Sequence, residues 1–178
     1  MPDDEAAVGE IEVRTAVPDD AEGMLACFRE ILVEPGIGVM TEPDEFTYTT
    51  DDERKLIADL AAGGGGVFVV AVAGGRVVGT LSCLGEKRRA RRHVANIGIS
   101  IRREFRGRGV GTRMMRAAID WARRSGVVRR LELSVFAENS AAIRVYENVG
   151  FAIEGRRPRA AFREGRFIDD MIMGMWVG

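Results

Sequence analysis

Cysteine is scarce: Cys27 and Cys83 are the only two in 178 residues. Two cysteines in apolar surroundings build neither a disulfide framework nor a zinc site, so both are read as reduced core thiols. Histidine is scarcer still, with His93 alone. No apolar run approaches the ~18 residues that span a bilayer. The acidic start, Met1 to Glu10, lacks the basic-then-apolar pattern of a signal peptide. These absences point to a cytoplasmic chain. Excess charge is missing too: 26 basic and 27 acidic residues leave a formal net charge of −1, which gives no support to nucleic-acid or membrane partners. What is present, 46% hydrophobic and 30% charged residues, suits one globular domain with a substantial core. Residues 1–9 read as a frayed, disordered N-terminus, and 10–178 as that domain.

Periodicity sets the order of elements. Ile11, Val13 and Thr15 alternate with polar neighbours as a strand. Pro18-Asp19-Asp20 supplies a helix cap, and Leu25, Phe28, Ile31 and Leu32 follow at helical spacing to about Val33. Thr50-Asp51-Asp52-Glu53 caps a second helix carrying Leu56, Ile57 and Leu60. The glycine run 63–66 ends it as a turn. Val67–Ala73, the turn Gly74-Gly75 and Arg76–Leu84 make a hairpin. Glu86 to Arg92 is a basic connector, and His93–Ile101 the next strand. A third helix from near Val110 is amphipathic and stops at Ser125-Gly126. Leu131–Phe136 is a strand, Asn139 caps a short helix ending at Gly150, and Phe151–Phe162 and Phe167–Val177 are strands joined through Glu164-Gly165. The order β-α-α-β-β-β-α-β-α-β-β describes an α/β (α+β) fold: a mixed, mostly antiparallel sheet of about seven strands with about four helices.

The chemistry concentrates in Arg106-Gly107-Arg108-Gly109-Val110-Gly111-Thr112, between a strand and a helix. Alternate glycines expose backbone N–H groups and admit a ligand close to the main chain. The following helix adds its positive dipole end. Arg106, Arg108 and Arg113 crowd that end, where cations are unfavourable, and a phosphate or pyrophosphate would relieve the conflict. The stretch is not a Walker A loop, which needs Lys then Ser/Thr after its last glycine; Thr112 and Arg113 stand there. Nor does its spacing match G-x-G-x-x-G. It does fit Arg-x-x-Gly-x-Gly, filled by Arg106, Gly109 and Gly111.

That pattern resembles the acetyl-CoA signature of the GCN5-related N-acetyltransferase (GNAT) superfamily. Downstream, Asn139-Ser140-Ala141-Ala142-Ile143 followed by Tyr146 and Gly150-Phe151 is similar to the family's Asn…Ala-Ile-x-x-Tyr-x-x-x-Gly-Phe motif. The resemblance covers roughly Glu10 to Val177 and is closest to the spermidine and ribosomal-protein branch. It implies a GNAT-like fold and acetyl-CoA as cosubstrate, with no metal. It also implies transfer to a primary amine, of a small molecule or of a protein or peptide, by direct attack in a ternary complex. A second copy of the chain is carried as a candidate partner.

The resemblance assigns the pyrophosphate to Arg106, Gly107, Arg108, Gly109, Val110, Gly111 and Thr112. It gives the pantetheine arm to the main chain of Ile99, Ser100 and Ile101, with an oxyanion donor near Ile99, and a further cofactor contact to Asn139. Tyr146 is the expected general acid, since a phenol titrating near 10 holds its proton at neutral pH. The base stays open. Many relatives carry Glu where Asn96 stands, and an amide accepts no proton usefully; Glu42, Glu45 and His93 are candidates acting through water. Glu42, Asp44 and Glu45 could also furnish an acidic pocket for a polyamine, and residues 36–50 are expected to select the acceptor. A rival reading, an acyl-CoA-binding sensor without turnover, draws on the missing glutamate at Asn96.

Overall fold

The computed structural model describes residues 10–36, 38–63 and 65–178; the N-terminal stretch 1–9 expected to fray lies outside them. The elements follow as β1 (Glu12–Thr15), α1 (Ala21–Leu32), α2 (Thr50–Ala61), β2 (Gly66–Ala73), β3 (Arg76–Gly85), β4 (Val94–Ile101), α3 (Val110–Arg124), β5 (Arg130–Phe136), α4 (Ser140–Asn148), β6 (Ala152–Arg163) and β7 (Arg166–Trp176). The strands form one seven-stranded sheet in the order β1-β2-β3-β4-β5-β7-β6. Every neighbouring pair is antiparallel except β4 with β5. The expected order and sheet type hold.

Two apolar layers sandwich the sheet, and β2 shows how the sequence arranges them. Val67, Val69 and Ala71 face the layer of α3, whose Val110, Met114, Met115, Ala118 and Ala122 are buried at helical spacing. Phe68, Val70 and Val72 face the layer of α1 and α2, with Met24, Cys27, Ile31 and Ile57. A strand covered on both faces reads as a continuous apolar run rather than an alternation. Met114 and Met115 are fully buried, and truncating either to alanine would cost about 2–5 kcal/mol. Both cysteines are free and buried. Burial pushes the Cys27 thiol to about 11 and the Cys83 thiol to about 12, which leaves both unreactive.

Local chemistry explains the joints. Gly74 and Gly75 have φ of +55° and +78°, the mirror-image turn whose twist matches two antiparallel strands. One expectation changes: Asp20 does not cap α1 with its side chain. Its carboxylate accepts from the Val17 N–H at 2.8 Å and from both Arg14 terminal nitrogens, closing a 3-10 turn at Pro18–Asp20 instead. The Arg14 hydrogen bond holds that carboxyl below its ordinary range.

The feature that positions the site is a split in the sheet. β4 and β5 pair only through Val94↔Arg130, Ala95↔Leu131 and Asn96↔Glu132. Beyond Asn96, β4 stays with β3 as far as Gly79↔Ile101. Beyond Glu132, β5 stays with β7 as far as Phe136↔Asp170. The two arms diverge, and the edge of β4 over residues 97–101 has no ladder partner on that side among the described residues.

Candidate active site

The split opens into a cleft of about 1110 Å³. Its wall includes Ile99, Ser100 and Ile101 on the unpaired β4 edge, then Arg106, Gly107, Gly109, Gly111 and Thr112, then Asn139 and Tyr146. Val110 is buried beneath it, and Arg108 is exposed outside it with its guanidinium 5.9 Å from the Phe105 ring. The fold thus brings together ten of the twelve residues assigned to the cofactor and the acid.

Gly107 and Gly109 both take φ of +74°, a left-handed backbone that side chains disfavour. Gly109 is the N-cap of α3. The backbone N–H groups of residues 107–112 donate to nothing among the described residues, while Arg113 N–H reaches the Gly109 carbonyl at 3.1 Å. Free donors at a helix start, at the end of an unpaired strand edge, make an anion-binding cradle. Gly111 is different: its φ is ordinary, and an added Cβ would meet only Ile101 Cδ1 at 3.4 Å and Val145 Cγ1 at 3.7 Å. Nothing inside the protein demands glycine there.

The expected charge conflict is largely met within the chain. Arg106 Nε donates to the Ile101 carbonyl at 2.7 Å, and its guanidinium lies 2.9 Å from Glu34 Oε2. Arg113 donates to the Ile11 carbonyl at 2.8 Å. The unpartnered amides, not homeless arginines, are what call for a bound anion. Glu34 escaped the sequence reading because its partner is distant in the chain.

On α4, Asn139 caps the helix by accepting from the Ala142 N–H at 3.1 Å. Tyr146, two turns along, is 7% exposed, with its ring centroid 6.3 Å from that of Phe151. Its hydroxyl forms no hydrogen bond among the described residues. Burial pushes its pKa to about 12, so the proton stays on the oxygen throughout the physiological range.

The opposite wall comes from α1, α2 and the connector between them. Met24, Phe28, Met40, Phe46 and Tyr48 make it apolar and aromatic. Phe28 and Phe46 meet edge to face at 4.8 Å, and Phe46 stacks on Tyr48 at 5.9 Å. Arg29 donates to the Tyr48 carbonyl at 2.7 Å. Arg163 clasps the connector from β6, donating to the Val39 carbonyl and pairing with Glu42 at 2.9 Å.

Neither the three base candidates, Glu42, Glu45 and His93, nor Asn96 lines this cleft. Glu42 is held by Arg163, and Glu45 accepts from the Glu42 N–H at 2.8 Å. Asn96 donates to Glu86 at 3.0 Å, and His93 precedes the far end of β4 with its ring 6.3 Å from that of Trp176. Three other carboxyls do line it: Glu34, Glu53 and Glu138. Glu34 faces Arg106. Glu138 is forked by Arg166 at 2.6 and 2.8 Å, and those bonds hold it below its ordinary range. Glu53 on α2 is 8% exposed and its carboxylate has no partner among the described residues; burial raises its pKa. In the sequence it was one more acid in a helix cap.

A protein-family model described as Acetyltransferase (GNAT) family matches residues 29–151. The chain belongs to that family. It is 39% identical over 105 residues to the L-amino acid N-acetyltransferase AaaT of Escherichia coli, a match spanning 59% of this chain and 65% of that one. It is 29% identical over 160 residues to an L-methionine sulfoximine/L-methionine sulfone acetyltransferase of Pseudomonas aeruginosa, covering 88% and 89% of the two chains. Its fold superposes on a GNAT-family acetyltransferase of Streptococcus pneumoniae with a TM-score of 0.87 at 30% identity, over 95% of this chain and 100% of that one. It also superposes on YncA of Salmonella typhimurium, solved with its cofactor acetyl-CoA, with a TM-score of 0.82 at 20% identity over 94% of each. Among the described residues no cluster of side chains could hold a metal ion, and no helix is long and apolar enough to cross a membrane.

Proposed function

We propose that the protein transfers an acetyl group from acetyl-CoA to the nitrogen of a small primary amine, by direct attack with both molecules bound. The observation that carries this reading is the split sheet: an unpaired strand edge leads into a row of unpartnered amides at a helix start. Acetyl-CoA bound there would supply an acetyl carbon open to attack and a sulfur able to leave as thiolate. The amides of residues 107–112 and the α3 dipole hold the pyrophosphate. The main chain of Ile99 to Ile101 pairs with the peptide-like pantetheine arm as an added strand does. A backbone N–H near Ile99 donates to the carbonyl oxygen as charge builds on it.

Tyr146 donates its proton to the departing sulfur. At about 12 it is a weaker acid than a free phenol. The burial that weakens it also raises the proton affinity of a thiolate leaving into the same cleft, so the pair stays matched. The attacking nitrogen then sheds one proton, which restores the phenol. The names of the two relatives, both for enzymes acting on amino acids or their analogues, favour an acceptor of that type. A cytoplasmic setting belongs to the same reading and agrees with two free thiols.

Thiol release with a panel of amines tests the proposal. Tyr146→Phe is expected to lower kcat by about a hundredfold or more, the size of a general-acid contribution, with acetyl-CoA affinity unchanged. An unaltered kcat contradicts the role of Tyr146. Acetyl-CoA binding without thiol release from any amine returns the sensor reading.

A further inference from the structure

We propose that Glu53 is the carboxylate that receives the acceptor's ammonium group and takes its proton, and that the acceptor is a primary amine borne on an apolar body. The inference rests on the acetyl-transfer reading and deepens it. Its ground is elimination within one cleft. Of the three carboxyls on the wall, Glu138 is forked by Arg166 and Glu34 lies 2.9 Å from the Arg106 guanidinium in an ion pair without a hydrogen bond, whereas Glu53 makes neither an ion pair nor a hydrogen bond among the described residues. Its oxygens are open to the cleft, so the carboxylate is available to an incoming cation at little cost in broken protein contacts.

The surroundings specify what completes it. The elements packed against α2 are α1, β2 and the Pro18–Asp20 turn. They present Met24, Leu25, Phe28 and Phe68 to the cleft, none charged. The remaining charged or titratable groups on its wall are Tyr48, Arg103, Arg106 and Tyr146, besides Glu34 and Glu138. Among the described residues no cation pairs with Glu53, so an incoming cation meets no competitor there. A single buried carboxylate among aromatic and methionine side chains suits one ammonium on an apolar body. It suits a polyamine less well, because the other two carboxyls on the wall, Glu34 and Glu138, already face arginines.

The proton count closes. The ammonium gives one proton to Glu53, which later releases it to solvent. The free amine forms the nitrogen–carbon bond, the carbon–sulfur bond breaks, and Tyr146 protonates the sulfur. The second nitrogen proton replaces the one Tyr146 gave. The products are the amide, the thiol and one released proton.

The test compares the parent with Glu53→Gln and Glu53→Asp, using L-methionine, L-leucine, 2-phenylethylamine and spermidine as acceptors. An apolar amine is expected to be preferred over spermidine. In Glu53→Gln, kcat/KM for that amine falls at least about tenfold, the size of a lost charged hydrogen bond. Its rate keeps climbing with pH toward the amine's own pKa, while the parent levels off once the carboxyl ionises. Glu53→Asp regains part of the loss. Calorimetry of 2-phenylethylamine in the presence of coenzyme A shows the same weakening without turnover. Retained kcat/KM and an unchanged pH profile in Glu53→Gln overturn the role of Glu53, and a preference for spermidine overturns the acceptor class. Acetyl-CoA binding to the parent separates the two levels: present, either result overturns this inference alone; absent, the acetyl-transfer reading falls with it.

Discussion

The two walls of the cleft were built in different ways. The wall of β4, α3 and α4 is made largely of main chain: a strand edge and six amides without partners among the described residues, and a capped helix. The wall of α1, α2 and their connector is made of side chains: Phe28, Phe46, Tyr48, Met24 and Glu53. A main-chain site requires particular backbone conformations and close approach, and therefore particular residues at fixed spacing. A side-chain site can be assembled from any residues the fold happens to bring together. On the proposed reading, the first wall would grip what every member of a reaction class shares and the second would choose what differs.

The sharpest way to break that contrast is at Gly109. A β-branched residue at φ +74° is strained and fills the approach to the amides. Gly109→Val is expected to weaken acetyl-CoA binding by about a hundredfold or more, from strain of about 1–3 kcal/mol plus the lost contact. Equal calorimetric affinities for variant and parent would remove the glycine loop from the site.

Gly111→Ala sharpens the contrast further. The position is inside α3 with ordinary φ and room for a methyl group. Alanine there should raise helix stability by up to about 1 kcal/mol while lowering acetyl-CoA affinity. Thermal melting and calorimetry are expected to move in opposite directions. If both fall, the glycine serves the fold rather than the ligand.

The smallest effect is expected on the other wall. Burial raises the folded-state pKa of Glu53 above its unfolded value. The stability tied to its protonated form is thus complete below the unfolded pKa of about 4.3 and is lost as pH rises through the raised value. Glutamine cannot lose it. Glu53→Gln should therefore melt above the parent at pH 7, and the gap should close towards pH 4. A lower melting temperature at pH 7 would mean that the carboxylate serves the fold.

The same contrast decides what the sequence alone could convey. The order of the eleven helices and strands among the described residues was legible, because period and punctuation report local structure: Gly74-Gly75 marks a turn, and the spacing of Val110, Met114 and Ala118 a helix face. The glycine loop, Asn139 and Tyr146, which line the cleft, stood out for the same reason. Glu53 was not, since its burial depends on how α2 lies over β2. Nor was the Glu34–Arg106 pair, whose members are brought together only by the packing of the end of α1 on the glycine loop. Glu42 and Glu45 drew notice as an acidic pair, yet their carboxylates are used by Arg163 and a backbone N–H. Long-range pairing leaves no local trace.

Backbone amide resonances followed by NMR during a titration with coenzyme A test the central claim most directly. The account predicts the largest shifts at residues 107–112 and along Ile99 to Ile101, with α2 scarcely perturbed. Saturable binding that leaves those amides unmoved would contradict it.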